Sequence, residues 1–313
     1  MSETNNNNWE KDALRDIALA GVKEQQKTRR WGIFFKLLGF AYLFILLIVV
    51  SSSNISESSS TTQKHTAIIK LSGGIIPGEP SAADNINEAL RDAFGNKNVE
   101  GIILEINSPG GTPVQAAMIY DEIKRLRKLN PDTPIYTVIS DICASGGYYV
   151  AAATEQIYAN KSSLVGSIGV RLSSFGFTGT MEKLGIERRQ LTAGKNKAML
   201  DPFSPRNKKA EKHMKSLLAS THQHFINDVK AGRGDRLKNA PNLFSGLIWN
   251  GEQGIELGLV DELGSADYVA RDIIGQKRII DYTYQPDFFD KFTQRVSKTM
   301  LNMLTTDQLR QQL

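Results

Sequence analysis

The chain has 313 residues, 41% hydrophobic and 23% charged, with a net charge of +5, so it can bury a substantial core in one large or two modest domains. The charge is mild and no basic stripe alternates with aromatics, which argues against nucleic-acid binding. Cys143 is the single cysteine, excluding an intrachain disulfide and a cysteine-rich zinc site.

In chain order, residues 1–30 form a polar tail with an Asn run at 5–8, and helix is expected from Trp9 to Lys27. Residues 31–50 then give twenty residues with one charge, Lys36, near the start. As a helix this segment spans about 30 Å, the thickness of a bilayer's hydrocarbon core, and Lys36 is placed to snorkel. A buried core helix would carry a polar face. A cleaved signal peptide would be shorter and nearer the N-terminus. The segment therefore reads as an uncleaved transmembrane anchor. Lys27, Arg29 and Arg30 precede it while 51–62 carries no Lys or Arg. The positive-inside rule then puts the N-terminus in the cytoplasm and everything after residue 50 outside it, on the extracytoplasmic side of the membrane. Residues 51–64 are Ser-rich and read as a flexible linker.

A folded domain is expected over 65–285. Short apolar runs at 66–71, 99–106 and 134–140 read as strands, and the spacing predicts helices over 82–94, 114–129, 148–153 and 207–229. Strands alternating with helices imply βαβ units and a mostly parallel sheet, hence the α/β class. Leu257-Gly258 resembles a helix end. Residues 286–313 have Phe288, Phe292, Val296, Met300 and Met303 at the spacing of an amphipathic helix. Such a helix packs on its own domain or contacts a neighbour or a membrane surface.

Open α/β sheets place ligands at the carboxyl ends of their strands. Two glycine-rich turns fall there: Asn107-Ser108-Pro109-Gly110-Gly111 and Ala144-Ser145-Gly146-Gly147. Glycines let a backbone turn sharply and leave N–H groups unobstructed. Ser145 at a helix start, with the Gly146 N–H and the facing Gly110–Gly111 backbone, can act as a nucleophile beside an oxyanion hole. Each turn alone is a weak signal. A serine needs a base, but no His lies between His65 and His213, which argues against a Ser-His-Asp triad. His213, His222 and His224 lack an HExxH pattern and read as solvated helix residues. A lysine can replace histidine if desolvation lowers its pKa by roughly three units; Lys195 and Lys197 lie in a segment that by itself reads as a basic loop.

Four motifs, INSPGG (106–111), ASGGYY (144–149), VGSIGV (165–170) and AGKNK (193–197), stand in an order and spacing that resemble the signal peptide peptidase SppA group of the S49 serine peptidases. The later GRG (232–234), WNGEQG (249–254) and LGLVDELG (257–264) are similar to that family too, and the resemblance covers about residues 65–275. It implies a Clp/crotonase-like fold, Ser145 as nucleophile, Lys197 as general base, Ser167 as the hydroxyl that orients the lysine, and oxyanion donors at Gly111 and Gly146. It also implies the short, single-repeat form. Such a chain assembles as a homo-oligomeric ring in which Ser145 of one subunit works with Lys197 of the next. The implied substrates are cleaved signal peptides and other apolar membrane-proximal peptides, bound as extended strands, and the mechanism calls for no metal or organic cofactor. Cys143 reads as packing. Lys195 either lowers the pKa of Lys197 as a like charge or faces solvent. Two rival readings are a crotonase-like acyl-CoA enzyme and an inactive membrane scaffold. The first leaves the Ser145–Lys197 pairing unexplained, and the intact pair weighs against the second.

Overall fold

A computed structural model describes residues 6–53 and 63–285, which fall in two units. The expected helix at 286–313 and most of the linker lie outside the described residues.

The first unit contains one long helix, α1 (Asn6–Ser53), which joins the polar tail and the apolar segment without a break. Its 48 residues extend about 72 Å. The stretch Ala13–Leu47 is long and apolar enough to cross a membrane by length and composition, and none of its described side chains is buried.

The second unit is built on a mostly parallel sheet. Its first three strands are β1 (His65–Ser72), β2 (Val99–Ser108) and β3 (Ile135–Ala144), with α2 (Ala83–Gly95) and α3 (Pro113–Leu129) as the crossovers. Pro113 fills the first turn of α3, where an N–H would have no intrahelical partner. Five shorter strands complete the sheet, β4 (Ile157–Ala159), β5 (Leu164–Gly166), β6 (Ile248–Asn250), β7 (Glu262–Leu263) and β8 (Ile279–Asp281). The strand order is β6-β5-β3-β2-β1-β8, with β4 pairing with β3 and β7. All pairs are parallel except β5 with β6. β3 is shared along its length: Thr137–Ile139 pair with β4, while Ile142–Ala144 pair with β5.

Successive residues of the central strands alternate between two buried faces. Ile69, Leu71, Leu104, Ile106 and Ile139 pack with Ile86, Leu90 and Phe94 of α2 and Ile119, Ile123 and Leu126 of α3. Ile68, Ile103 and Val138 point the other way, onto Tyr158, Val269 and Ala270. This double burial is why residues 99–106 read as a nearly continuous apolar run. Shortening Leu104, which is fully buried, to alanine costs about 2–5 kcal/mol. The remaining helices are α4 (Gly146–Ala151), α5 (Thr178–Lys183), α6 (Lys208–Arg233), α7 (Gly251–Leu257) and the short α8 (Ala266–Tyr268). Gly258 closes α7 in the left-handed conformation, as the Leu257-Gly258 pattern predicts.

Candidate active site

The adjacent strands β2 and β3 end side by side, with Ser108 paired to Cys143, so the two glycine turns meet. Ser108, fully buried, fastens the first turn: its hydroxyl donates to the Gly73 carbonyl at 2.6 Å and accepts from the Gly110 N–H at 3.1 Å. The Gly110 carbonyl accepts from the Ile75 N–H at 3.0 Å, and Thr112 N–H donates to the Ile75 carbonyl at 2.9 Å. Gly111 is thereby held in a one-residue parallel bridge with Ile75. A side chain at Gly111 would collide with the Ile75 backbone. At Gly110, whose φ is +102°, a Cβ would stand 2.7 Å from the Gly146 nitrogen and 2.8 Å from the Ser145 Cβ. Only glycine lets the first turn lie this close to the second.

Ser145 is half-buried and sits between β3 and α4 with φ 54° and ψ −121°. A non-glycine residue in this region is strained by about 1–3 kcal/mol and is found where function demands it. The strain is held by two main-chain bonds: Ser145 N–H donates to the Gly166 carbonyl at 2.9 Å, and Tyr149 N–H to the Ser145 carbonyl at 3.0 Å. Among the described residues no group hydrogen-bonds the Ser145 hydroxyl, and neither the Gly111 nor the Gly146 N–H has an acceptor within the chain. A Cβ built on Gly146 would lie 3.1 Å from the Gly111 nitrogen, so the two N–H groups are neighbours. The geometry thus provides a strained, available hydroxyl beside two unpaired backbone donors, the parts needed for attack on a carbonyl and for holding the resulting oxyanion.

Ser167 follows β5, which lies against the end of β3, and it too has a positive φ, 53°. Its N–H donates to the Leu247 carbonyl at 2.7 Å. The structure therefore brings Ser145, Gly111, Gly146 and the Ser167 turn together. Lys197 stands apart from them within one chain. It is exposed, in a segment from Arg171 to Lys209 where no apolar side chain is buried, and its amine contacts neither serine among the described residues. Lys195 is exposed as well.

Two residues escaped the sequence reading. Ser108 was visible only as part of a motif, with no sign that its hydroxyl braces the turn. His222 was expected to be solvated, like His213 and His224, which are exposed. Instead it is half-buried, and its Nε2 donates to the Ile168 carbonyl at 2.9 Å. The signal was its spacing: residues 222, 225 and 229 share one helix face, and Phe225 and Val229 are buried. Cys143 is buried directly before the turn, and burial pushes its thiol up, as suits packing rather than chemistry.

Fold and site together define an α/β protein that presents a strained serine beside two unpaired backbone N–H groups, an arrangement suited to acyl transfer. The chain is similar to several known proteins. Residues 127–279 match peptidase family S49. A provisionally named protease of Synechocystis sp. is 30% identical over 208 residues, which cover 66% of this chain and 73% of that one. A provisionally named signal peptide peptidase SppA of Enterococcus faecium is 34% identical over 199 residues, 64% of this chain and 57% of that one. The Na+/H+ antiporter NhaA of Brucella abortus is 40% identical over 215 residues, 67% of this chain but 29% of that protein. The chain thus spans less than two thirds of these last two relatives. Among solved structures, a serine-to-alanine mutant of the 1510-N membrane-bound stomatin-specific protease has a TM-score of 0.37 and 13% identity, covering 65% of this chain and 81% of that one. This chain belongs to peptidase family S49.

Proposed function

We propose that the protein is a membrane-anchored serine endopeptidase with Ser145 as nucleophile and Lys197 as general base, degrading cleaved signal peptides and other apolar peptides near the membrane. The observation that carries this reading is the Ser145 turn, strained, half-buried and faced by the Gly111 and Gly146 N–H groups. Neutral Lys197 takes the Ser145 proton as Oγ attacks the scissile carbonyl, and the two N–H groups hold the oxyanion. Lys197 then protonates the departing amine. Water, activated by the same lysine, releases the acyl-enzyme. Ser167 hydrogen-bonds the lysine and orients it.

In this reading Lys197 comes from a neighbouring subunit of a homo-oligomer. A lysine left in water is a poor base at neutral pH, and desolvation lowers its proton affinity. The segment that carries Lys197 also leaves Phe175, Leu184 and Leu191 exposed, and burial under a second subunit would both cover them and dry the lysine. The apolar face of α1, with Phe40 and Phe44 exposed, fits a bilayer, with the N-terminus in the cytoplasm and the peptidase domain on the periplasmic side.

A mixing assay tests this on full-length protein in detergent, with an apolar fluorogenic peptide as substrate. Ser145→Ala and Lys197→Ala are each expected to be inactive, and their co-assembled mixture to regain activity. Wild-type activity in either single variant sinks the dyad. An inactive mixture, with subunit exchange demonstrated, places both residues in one chain instead.

A further inference from the structure

We infer that His222 is a positioning residue for peptide hydrolysis, fixing the turn that carries Ser167. This rests on the reading of Ser167 as the group that orients Lys197. Three successive residues of that turn are pinned through their main-chain groups. The Gly166 carbonyl accepts from the Ser145 N–H at 2.9 Å, the Ser167 N–H donates to the Leu247 carbonyl at 2.7 Å, and the Ile168 carbonyl accepts from His222 at 2.9 Å. The first two bonds are backbone to backbone, so any sequence that makes the strands makes them. The third is the turn's side-chain bond, and it depends on a side-chain donor of the right reach at position 222.

Geometry explains why a histidine serves. A carbonyl only accepts, so Nε2 carries the proton in this contact, which both the Nε2–H neutral tautomer and the imidazolium allow. The ring is placed by α6, itself fastened to the nucleophile's helix. Phe225 stacks on Tyr149 with centroids 4.6 Å apart, the Tyr149 hydroxyl donates to the Asp228 carboxylate, and the Tyr120 hydroxyl donates to the Asp228 carbonyl at 2.9 Å. His222 lies one turn before Phe225 on the same face. It ties the Ser167 turn to the helix that also braces α4, so the nucleophile and the base-orienting hydroxyl share one rigid support. Ser167 has φ 53°, a conformation that drifts toward ordinary values unless its neighbours resist. Without the third bond the Ser167 hydroxyl loses its place, and small misplacements at a reacting centre lower rate more than binding.

The test compares His222→Gln, His222→Asn and His222→Phe in the full-length assembled protein, beside Ser145→Ala and Lys197→Ala. Glutamine carries an amide N–H about as far from the backbone as histidine Nε2; asparagine is too short, and phenylalanine keeps the ring without the donor. The expected result is that Asn and Phe lower kcat about tenfold or more with KM nearly unchanged, while Gln stays within about threefold of wild type. With kcat referred to folded, assembled protein, a general loss of folded protein does not reproduce this pattern, and the conservative Gln variant restores the rate. Unchanged kcat in Asn and Phe overturns the inference, as does Gln failing equally with Asn, or Asn failing to fold while Gln folds. Activity surviving in Ser145→Ala or Lys197→Ala instead overturns the dyad, a separate and recognisable outcome.

Discussion

Arg233 donates two hydrogen bonds, of 2.7 and 2.8 Å, to the carboxylate of Asp261, and its side chain is fully shielded from solvent. The pair joins the Gly-Arg-Gly end of α6 to the segment before β7. The Arg233 Nε donates to the Gly258 carbonyl at 3.0 Å, and the Asp261 carboxylate accepts from the Ile157 N–H at 2.7 Å. Two motifs that stand far apart in sequence are thus one structural joint, which fixes α6 against the sheet.

Removing one partner of that joint leaves a buried, uncompensated charge. Asp261→Ala is expected to destabilise the domain by about 3–5 kcal/mol. Replacing both residues with apolar ones of similar volume, Arg233→Met with Asp261→Leu, should cost clearly less than the sum of the two single changes. Urea unfolding of the four proteins checks this; strict additivity would show that the pair is not coupled.

Gly110→Ala should keep the fold but disable the site. The added methyl would stand 2.7 Å from the Gly146 nitrogen at a φ of +102°, so the turns must part and the Gly111 and Gly146 N–H groups with them. A fall in kcat of about 100-fold or more is expected. Gly95→Ala is the control, since nothing lies within 4 Å of the position a Cβ would take there, and its activity should match wild type. Equal activity of the two variants would remove the glycine turns from the mechanism.

What the sequence made legible follows from length and burial. β1, β2, α2 and α3 emerge within a residue or two of the expected bounds because each is long enough to show its period. β3 runs on through Ala144, past the expected Ser140, because its last residues pair with β5 rather than with β4. The two- and three-residue strands β4 to β8 carry no readable alternation and exist only through their neighbours. At the site, the residue types were legible and the conformations were not. No pattern of side chains announces that Ser145 and Ser167 take positive φ, and a helical histidine gives no notice of a carbonyl 54 residues away.

Acid should weaken the domain partly through Glu122. Hydrogen bonding from Arg125, with Arg91 adding to it against the cost of burial, holds this carboxyl down at about 2, below the ordinary 4.5. A depressed carboxyl contributes stability above its unfolded pKa, and that contribution is lost as pH falls from about 4.5 through about 2. With both arginines about half exposed, the contribution is on the order of 2 kcal/mol. Glu122→Gln should show a shallower loss of stability between pH 5 and pH 2 than wild type. Parallel curves would mean that the ion pairs add nothing.

Cys143 should be inert in the folded protein despite lying two residues before Ser145. It is fully buried, and desolvation raises its thiol well above the ordinary range, so little thiolate forms. A thiol reagent should label the native chain only as fast as the domain opens, and at once in denaturant. Cys143→Ala is expected to retain peptide hydrolysis. Cys143→Ser buries a hydroxyl in an apolar place and should cost about 1–3 kcal/mol. Rapid native labelling, or activity lost in a stably folded Cys143→Ala, would instead place the thiol in the chemistry.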